Sequence, residues 1–184
     1  MENIVDELTL IHNENFENKV ENKYFSEMIL NGQYEIYCLF NFGEENNKII
    51  KLKKESDVDN EKMINLRKKN NTEKKILGYV VFYGTIENTD IFEIAIKKEY
   101  QGQCFGEKLL TESMGNLLKN NKNSEIKNIH FSENKFLLEV NENNIKALKL
   151  YKKIGFEQIS VRKNYYGNNE NAIIMMKIIK FKHK

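Results

Sequence analysis

Two short segments of the 184-residue chain carry the residue types from which a reaction site could be built. Residues 94–110 read IAIKKEYQGQCFGEKLL: a strand-like run, a tight turn with two glycines, then an amphipathic helix. The unbonded N–H groups that begin such a helix, together with the helix dipole, form a site for an anion. Glycine lets a phosphate come close to the backbone. An ordinary strand-to-helix turn would read the same way. The second segment, residues 136–156, reads FLLEVNENNIKALKLYKKIGF. Glu139 stands in an otherwise apolar strand, where a carboxylate is costly without a partner or a purpose. Burial there would raise its pKa toward that of a useful base. The alternative is a Glu turned inward onto a structural lysine, or one at an exposed strand edge.

A third group is Tyr165 and Tyr166, in the polar run NYYGNNEN that joins the last two strands. Paired tyrosines with Gly167 and asparagines beside them suit a surface that grips an extended peptide. Tyrosines packed on the sheet at a hairpin would look alike.

These groups need a frame. Tyr24, Phe25, Met28 and Ile29 repeat at helical spacing within the first 30 residues, and a first short strand is placed within 4–11. Residues 33–40, 76–84 and 90–97 read as strands, the last two close enough to form an antiparallel hairpin. Phe105, Leu109, Leu110, Met114, Leu117 and Leu118 mark one face of a helix over 103–119. A polar segment follows over 120–134. Then come a short buried strand (135–141), a helix (143–154, with Ile145, Leu148, Tyr151 and Ile154 on related faces) closed by Gly155, and strands at 156–163 and 172–180. The order predicts an α+β fold, one domain over 1–184 around a central mixed, mostly antiparallel sheet flanked by helices.

Residues 41–75 interrupt that pattern, with 10 basic and 5 acidic residues between Lys48 and Lys75. They read either as a solvated, partly disordered basic insertion or as an arm that touches RNA on a ribosome. The whole chain has a formal net charge of +2, which carries no global signature of nucleic-acid binding. Cys38 and Cys104 are the only cysteines, too few for a disulfide framework or a zinc cluster of their own, and they suit a reducing compartment. No apolar run approaches the roughly 18 residues of a membrane span, and residues 1–10 do not read as a signal peptide. A cytoplasmic protein without metal or membrane partner is the expectation.

The order of motifs resembles the GNAT acetyltransferases. L-E-V, then N, then A-L-x-L-Y-x-x-x-G-F, with the tail R-K-N-Y-Y (162–166) and A-I-I-M-M (172–176), is similar to the RimI-type ribosomal-protein-alanine N-acetyltransferases. The resemblance covers nearly everything from 76 to 180. It implies acetyl-CoA as co-substrate. The Q/R-x-x-G-x-G/A turn reads Gln101-Gly102-Gln103-Cys104-Phe105-Gly106 here; Gly102, Gln103, Cys104, Phe105, Gly106 and the following Glu107 would hold the diphosphate, and main-chain groups of Ile94, Ala95 and Ile96 would hold the pantetheine arm. Cys104 replaces the first motif glycine. A thiol there adds bulk against the ligand, and at a helix start its pKa could fall; a small packing substitution is the plainer reading.

The same resemblance implies that Glu139 is the base, acting directly or through a water, and that Tyr151 is the acid that protonates the departing thiolate. A core tyrosine on the apolar face is the alternative for Tyr151. Asn144 matches an asparagine that contacts the cofactor, and it is equally well suited to cap a helix. Tyr165 and Tyr166 would hold the acceptor peptide, a protein N-terminus starting with alanine on a small-subunit ribosomal protein. The insertion, the 120–134 segment and the absence of a proline–tryptophan element near the N-terminus keep open a second acceptor, a small amine or another peptide; Cys104 favours a third reading, a CoA-binding or ribosome-associated module with little catalysis, against which Glu139 and Tyr151 count.

Overall fold

A computed structural model describes residues 2–43, 46–52, 75–85, 88–123, 133–167 and 169–180. The elements are α1 (Glu2–Asn15), α2 (Asn22–Leu30), β1 (Tyr34–Asn41), β2 (Asn47–Lys51), β3 (Lys75–Gly84), β4 (Thr89–Ile96), α3 (Phe105–Asn123), β5 (Glu133–Asn141), α4 (Ile145–Lys153), β6 (Glu157–Gly167) and β7 (Glu170–Lys180). The strands form a sheet of order β2-β1-β3-β4-β5-β7-β6. Pairing is antiparallel for β1–β2, β5–β7 and β6–β7, and parallel for β4–β5. That is the expected α+β, mostly antiparallel architecture.

Three local expectations are corrected. Residues 4–11 are helical, not a strand: Ile4, Val5, Leu8 and Ile11 are buried, at helical spacing. Leu10, off that stripe, is exposed. The polar insertion contains a strand, β2, whose Asn47–Lys51 pair with Tyr37–Asn41 of β1. Tyr165 and Tyr166 belong to β6 rather than to a loop. The rest of the insertion, residues 53–74, and residues 124–132 of the 120–134 segment lie outside the described residues.

The chain forms two compact units, residues 1–81 with 93–114 and residues 82–92 with 115–184. In the first, the apolar stripes of α1 and α2 share one core with Ile36, Cys38 and Phe40 of β1 and Ile76, Tyr79 and Val81 of β3. Gly78 of β3 is required by closeness: a Cβ there would stand 2.5 Å from the Ala95 carbonyl and collide with the Ile96 side chain. Beneath α1, His12 Nε2 donates to the Asn18 carbonyl at 3.0 Å, and Nδ1 lies 3.3 Å from Glu93 Oε1. Tyr79 and Tyr24 donate to the two oxygens of Glu93 at 2.7 and 3.0 Å. Burial first, then the Glu93 charge, pushes both phenols up.

In the second unit β5 alternates. Phe136, Leu138 and Val140 enter the core, while Leu137, Glu139 and Asn141 face the other side. β7 continues the core face with Ile173 and Met175, and α4 adds Tyr151, followed by Ile154 and Phe156. Gly155, at φ 89, closes α4, where the Phe156 N–H returns to the Tyr151 carbonyl at 2.9 Å.

Candidate active site

The glycine turn is tied down from its own side of the chain. Gln101 Nε2 donates to the Ile96 carbonyl at 3.0 Å and to Asn15 Oδ1 at 2.8 Å. Asn15 Nδ2 also donates to the Ile96 carbonyl, at 3.2 Å. Gly102 and Cys104 both have positive φ, 78° and 62°. The Lys108 N–H returns to the Cys104 carbonyl at 3.1 Å, so Cys104 is the residue before the first helical turn. The first N–H groups of a helix have no acceptor one turn back within it and point out of its start. Gly102, Gln103 and Cys104 are exposed. These residues form a strand-to-helix turn at the place the sequence predicts, with Cys104 as a non-glycine residue in the left-handed region. Ala95 and Ile96 are buried on β4 and Ile94 is half-buried.

Glu139 corrects an expectation. It is not buried in the strand: it lies on the open face of β5 with its side chain 32% exposed. The alternation of β5 turns its neighbours Leu138 and Val140 inward and turns Glu139 out. Its partner is Arg162 of β6, whose Nη1 donates to Glu139 Oε1 at 2.9 Å. The sheet order explains the meeting. β7 lies between β5 and β6, with Ile174 opposite both Glu139 and Ser160. Two residues beyond Ser160 on the same face is Arg162, which reaches back across β7.

Arg162 also lies over the Tyr165 ring, 5.7 Å from its centre. Tyr165 and Tyr166 meet edge to face at 5.1 Å. Their position comes from a bulge in β6 between Arg162 and Gly167. Asn164 takes φ 53, a conformation asparagine tolerates. Its N–H donates to Asn171 Oδ1 and its Oδ1 accepts from the Asn169 N–H, both at 2.9 Å. Asn171 is held in turn by Glu142.

Tyr151 is 6% exposed. Burial, then the Tyr166 phenol, pushes its hydroxyl up to about 12. Burial, then Glu139, pushes Tyr166 up as well. Tyr166 is thus the electrostatic neighbour of both Glu139 and Tyr151. Asp90, at the start of β4, is raised by burial first and then by Glu139. The predicted pair of Glu139 and Tyr151 and the predicted tyrosines therefore fall in one group, which Asp90 and Arg162 complete. Neither addition was singled out from the sequence. Both depend on strand partners that only pairing supplies.

A phenol at about 12 is a poor acid toward a thiolate whose conjugate acid lies near 8.5. Direct transfer would be uphill by roughly 5 kcal/mol. Tyr151 is suited to stay neutral and donate a hydrogen bond, passing a proton on only as it receives one. Asn144 Oδ1 accepts from the Ala147 N–H at 3.1 Å, so its side chain caps α4. Among the described residues no three His, Cys, Asp or Glu side chains group as metal ligands, and no helix is long and apolar enough to cross a membrane.

A sheet of this order, with a glycine-containing turn leading into α3, has the fold of the acyl-CoA N-acyltransferases. Residues 67–158 match the family model for an acetyltransferase (GNAT) domain. The chain belongs to the GNAT acetyltransferase family and is an N-acetyltransferase. It is 35% identical over 119 residues to the ribosomal protein bS18-alanine N-acetyltransferase of Haemophilus influenzae, across 62% of this chain and 72% of that protein. It is 32% identical over 104 residues to the same enzyme of Haemophilus ducreyi, across 54% of this chain and 64% of that protein. The crystal structure of the ribosomal-protein-S18-alanine N-acetyltransferase from Escherichia coli superposes with a TM-score of 0.65 at 19% identity, covering 100% of this chain and 93% of that one. That likeness concerns the fold.

Proposed function

We propose that the chain transfers the acetyl group of acetyl-CoA to the N-terminal α-amine of a protein, a ribosomal protein that begins with alanine. The reading takes residues 1–184 as one catalytic domain working in the cytoplasm. The turn from Gly102 to Glu107, with main-chain groups of Ile94, Ala95 and Ile96 and with Asn144, is assigned to the cofactor. Glu139 and Tyr151 are assigned to the chemistry, and Tyr165 and Tyr166 to the acceptor. The names of the two Haemophilus relatives support the acceptor.

The observation that carries the reading is the Glu139–Arg162–Tyr165 chain, in which a carboxylate and an aromatic step on β6 share one guanidinium. A carboxylate suits an ammonium, and an aromatic step beside it suits the first side chains of an extended peptide. Such an α-ammonium has a pKa of about 7.7–8.0, so at neutral pH one proton must leave before the nitrogen can attack. Tyr151 then donates to the sulfur as the C–S bond breaks.

The test is transfer from acetyl-CoA to peptides that differ only in their first two residues, read by mass spectrometry at the α-amine. Acetylation of alanine-first peptides, with loss when the α-amine is blocked, is expected. Transfer to a polyamine and to no peptide would replace the acceptor. Cofactor binding without any transfer would leave a CoA-binding module.

A further inference from the structure

We propose that Asp90 is a further catalytic residue, the carboxylate that takes and keeps the proton of the acceptor's α-ammonium beside Glu139. The assignment rests on the N-terminal acetyl-transfer reading above.

Position comes first. Asp90 pairs with Leu137 in the parallel register of β4 and β5. Paired residues share a sheet face, and alternate residues along a strand return to it. Asp90, Leu137 and Glu139 therefore lie on one face, opposite the core face to which Ile91, Phe136 and Leu138 turn. The same face runs across β7 through Ile174 to Ser160 and Arg162.

Charge comes second. Glu139 on β5 acts on Asp90 through its charge. Around Glu139 stand Arg162 and Tyr166 on β6, with Tyr165 against Arg162 and Tyr151 on α4 beyond Tyr166. The guanidinium stands on Glu139, and among the described residues Asp90 has no such counter-ion. Asp90 is half-buried. Burial, then the charge of Glu139, raises it above the ordinary range of an aspartate. A carboxylate whose charged form is disfavoured in this way accepts a proton more readily than an ordinary aspartate, and among the described residues Asp90 has no cation on it to oppose that.

The step balances. The ammonium gives one proton to Asp90 and becomes a neutral amine. Its lone pair forms the C–N bond at the thioester carbonyl carbon. The C–S bond breaks with its electron pair left on sulfur, and a second amine proton reaches the sulfur through the Tyr151 hydroxyl. Asp90 then releases its proton to solvent. An ammonium and acetyl-CoA yield an acetamide, CoA thiol and one proton.

The experiment is steady-state acetylation of an alanine-first peptide by the full chain from pH 6 to 9.5, for wild type and Asp90→Asn. General-base loss is on the order of 100-fold. We expect that deficit in kcat at pH 6.5, shrinking to a few-fold by pH 9, where the peptide's own ionisation supplies free amine. The KM for acetyl-CoA stays unchanged. A deficit of equal size at every pH, or none at all, overturns the assignment. If Asp90→Asn melts below the assay temperature, Asp90→Ala with added formate decides: recovery of the low-pH rate supports Asp90, and no recovery overturns it. A wild-type chain that acetylates no peptide overturns both this assignment and the reading beneath it. Wild-type transfer with a pH-independent deficit overturns Asp90 alone.

Discussion

Arg162 reaches across the intervening strand β7 and donates from Nη1 to Glu139 Oε1 at 2.9 Å. Both side chains are well exposed, 55% and 32%. A pair so open to water contributes at most about 1 kcal/mol to stability, so it is poorly explained as a fold-holding contact. Its consequence is positional: it fixes where one carboxylate oxygen points and holds the guanidinium that lies over the Tyr165 ring.

Glu139→Gln should cut turnover sharply, because it removes the negative charge that holds the ammonium and favours proton transfer to Asp90, while acetyl-CoA binding, read by calorimetry, is nearly intact. Arg162→Gln should lower turnover in the wild-type background and have little further effect in Glu139→Gln, because the two act through one contact. Full additivity in that cycle would separate Arg162 from Glu139, and unchanged turnover in Glu139→Gln would remove that residue from the mechanism.

At Cys104 the backbone sits at φ 62. A side chain there costs on the order of 1 kcal/mol relative to glycine. Cys104→Gly should raise the melting temperature by roughly 3 °C for a chain of this size. It should also keep or tighten acetyl-CoA binding, since the amides before α3 become more open to a phosphate. Weaker binding in the stabilised variant would mean that the thiol itself serves the ligand.

Gly78 makes the opposite prediction. A methyl group placed there meets the Ala95 carbonyl at 2.5 Å. β4 would have to move at the very residues assigned to the pantetheine arm. Overpacking of this kind costs roughly 1–3 kcal/mol. Gly78→Ala should melt several degrees lower and raise the KM for acetyl-CoA more than that for the peptide. A rise confined to the peptide KM would contradict the assignment of β4 to the cofactor.

Alkaline pH should unfold the chain early. Tyr151 moves from 10.0 in its ordinary state to about 12 when folded. The folded state holds the proton more tightly, so this contribution is complete below pH 10. It is lost as pH rises from 10 through 12, by about 3 kcal/mol in all. Tyr24 and Tyr79 shift in the same direction. Melting temperatures followed by circular dichroism from pH 8 to 11.5 should fall steeply above 10, and less steeply in Tyr151→Phe. Identical slopes in the two proteins would show that Tyr151 ionises as freely folded as unfolded.

Much of the site is local information, and the sequence alone determined it. The glycine turn before a long amphipathic helix, the lone Glu139 in an apolar strand, Tyr151 twelve residues on, and the Gly155 stop can each be read within one or two turns or strands. The reason is that side-chain periodicity and backbone freedom act between near neighbours. A short window is less decisive: residues 4–11 read as a strand, whereas the spacing of the buried Ile4, Leu8 and Ile11 is that of the helix they form.

What only the tertiary structure decided is which face and which partners each residue has. β7 enters between β5 and β6, so Arg162 meets Glu139 and the carboxylate stays in the open instead of being buried. The parallel register of β4 with β5 puts Asp90 beside them, and a bulge held by Asn164 and Asn171 carries the two tyrosines into β6. Strand order and register join residues dozens of positions apart, and a shift of one residue would turn every side chain to the other face. No window along the chain contains that choice, because it is made by the packing of the whole sheet.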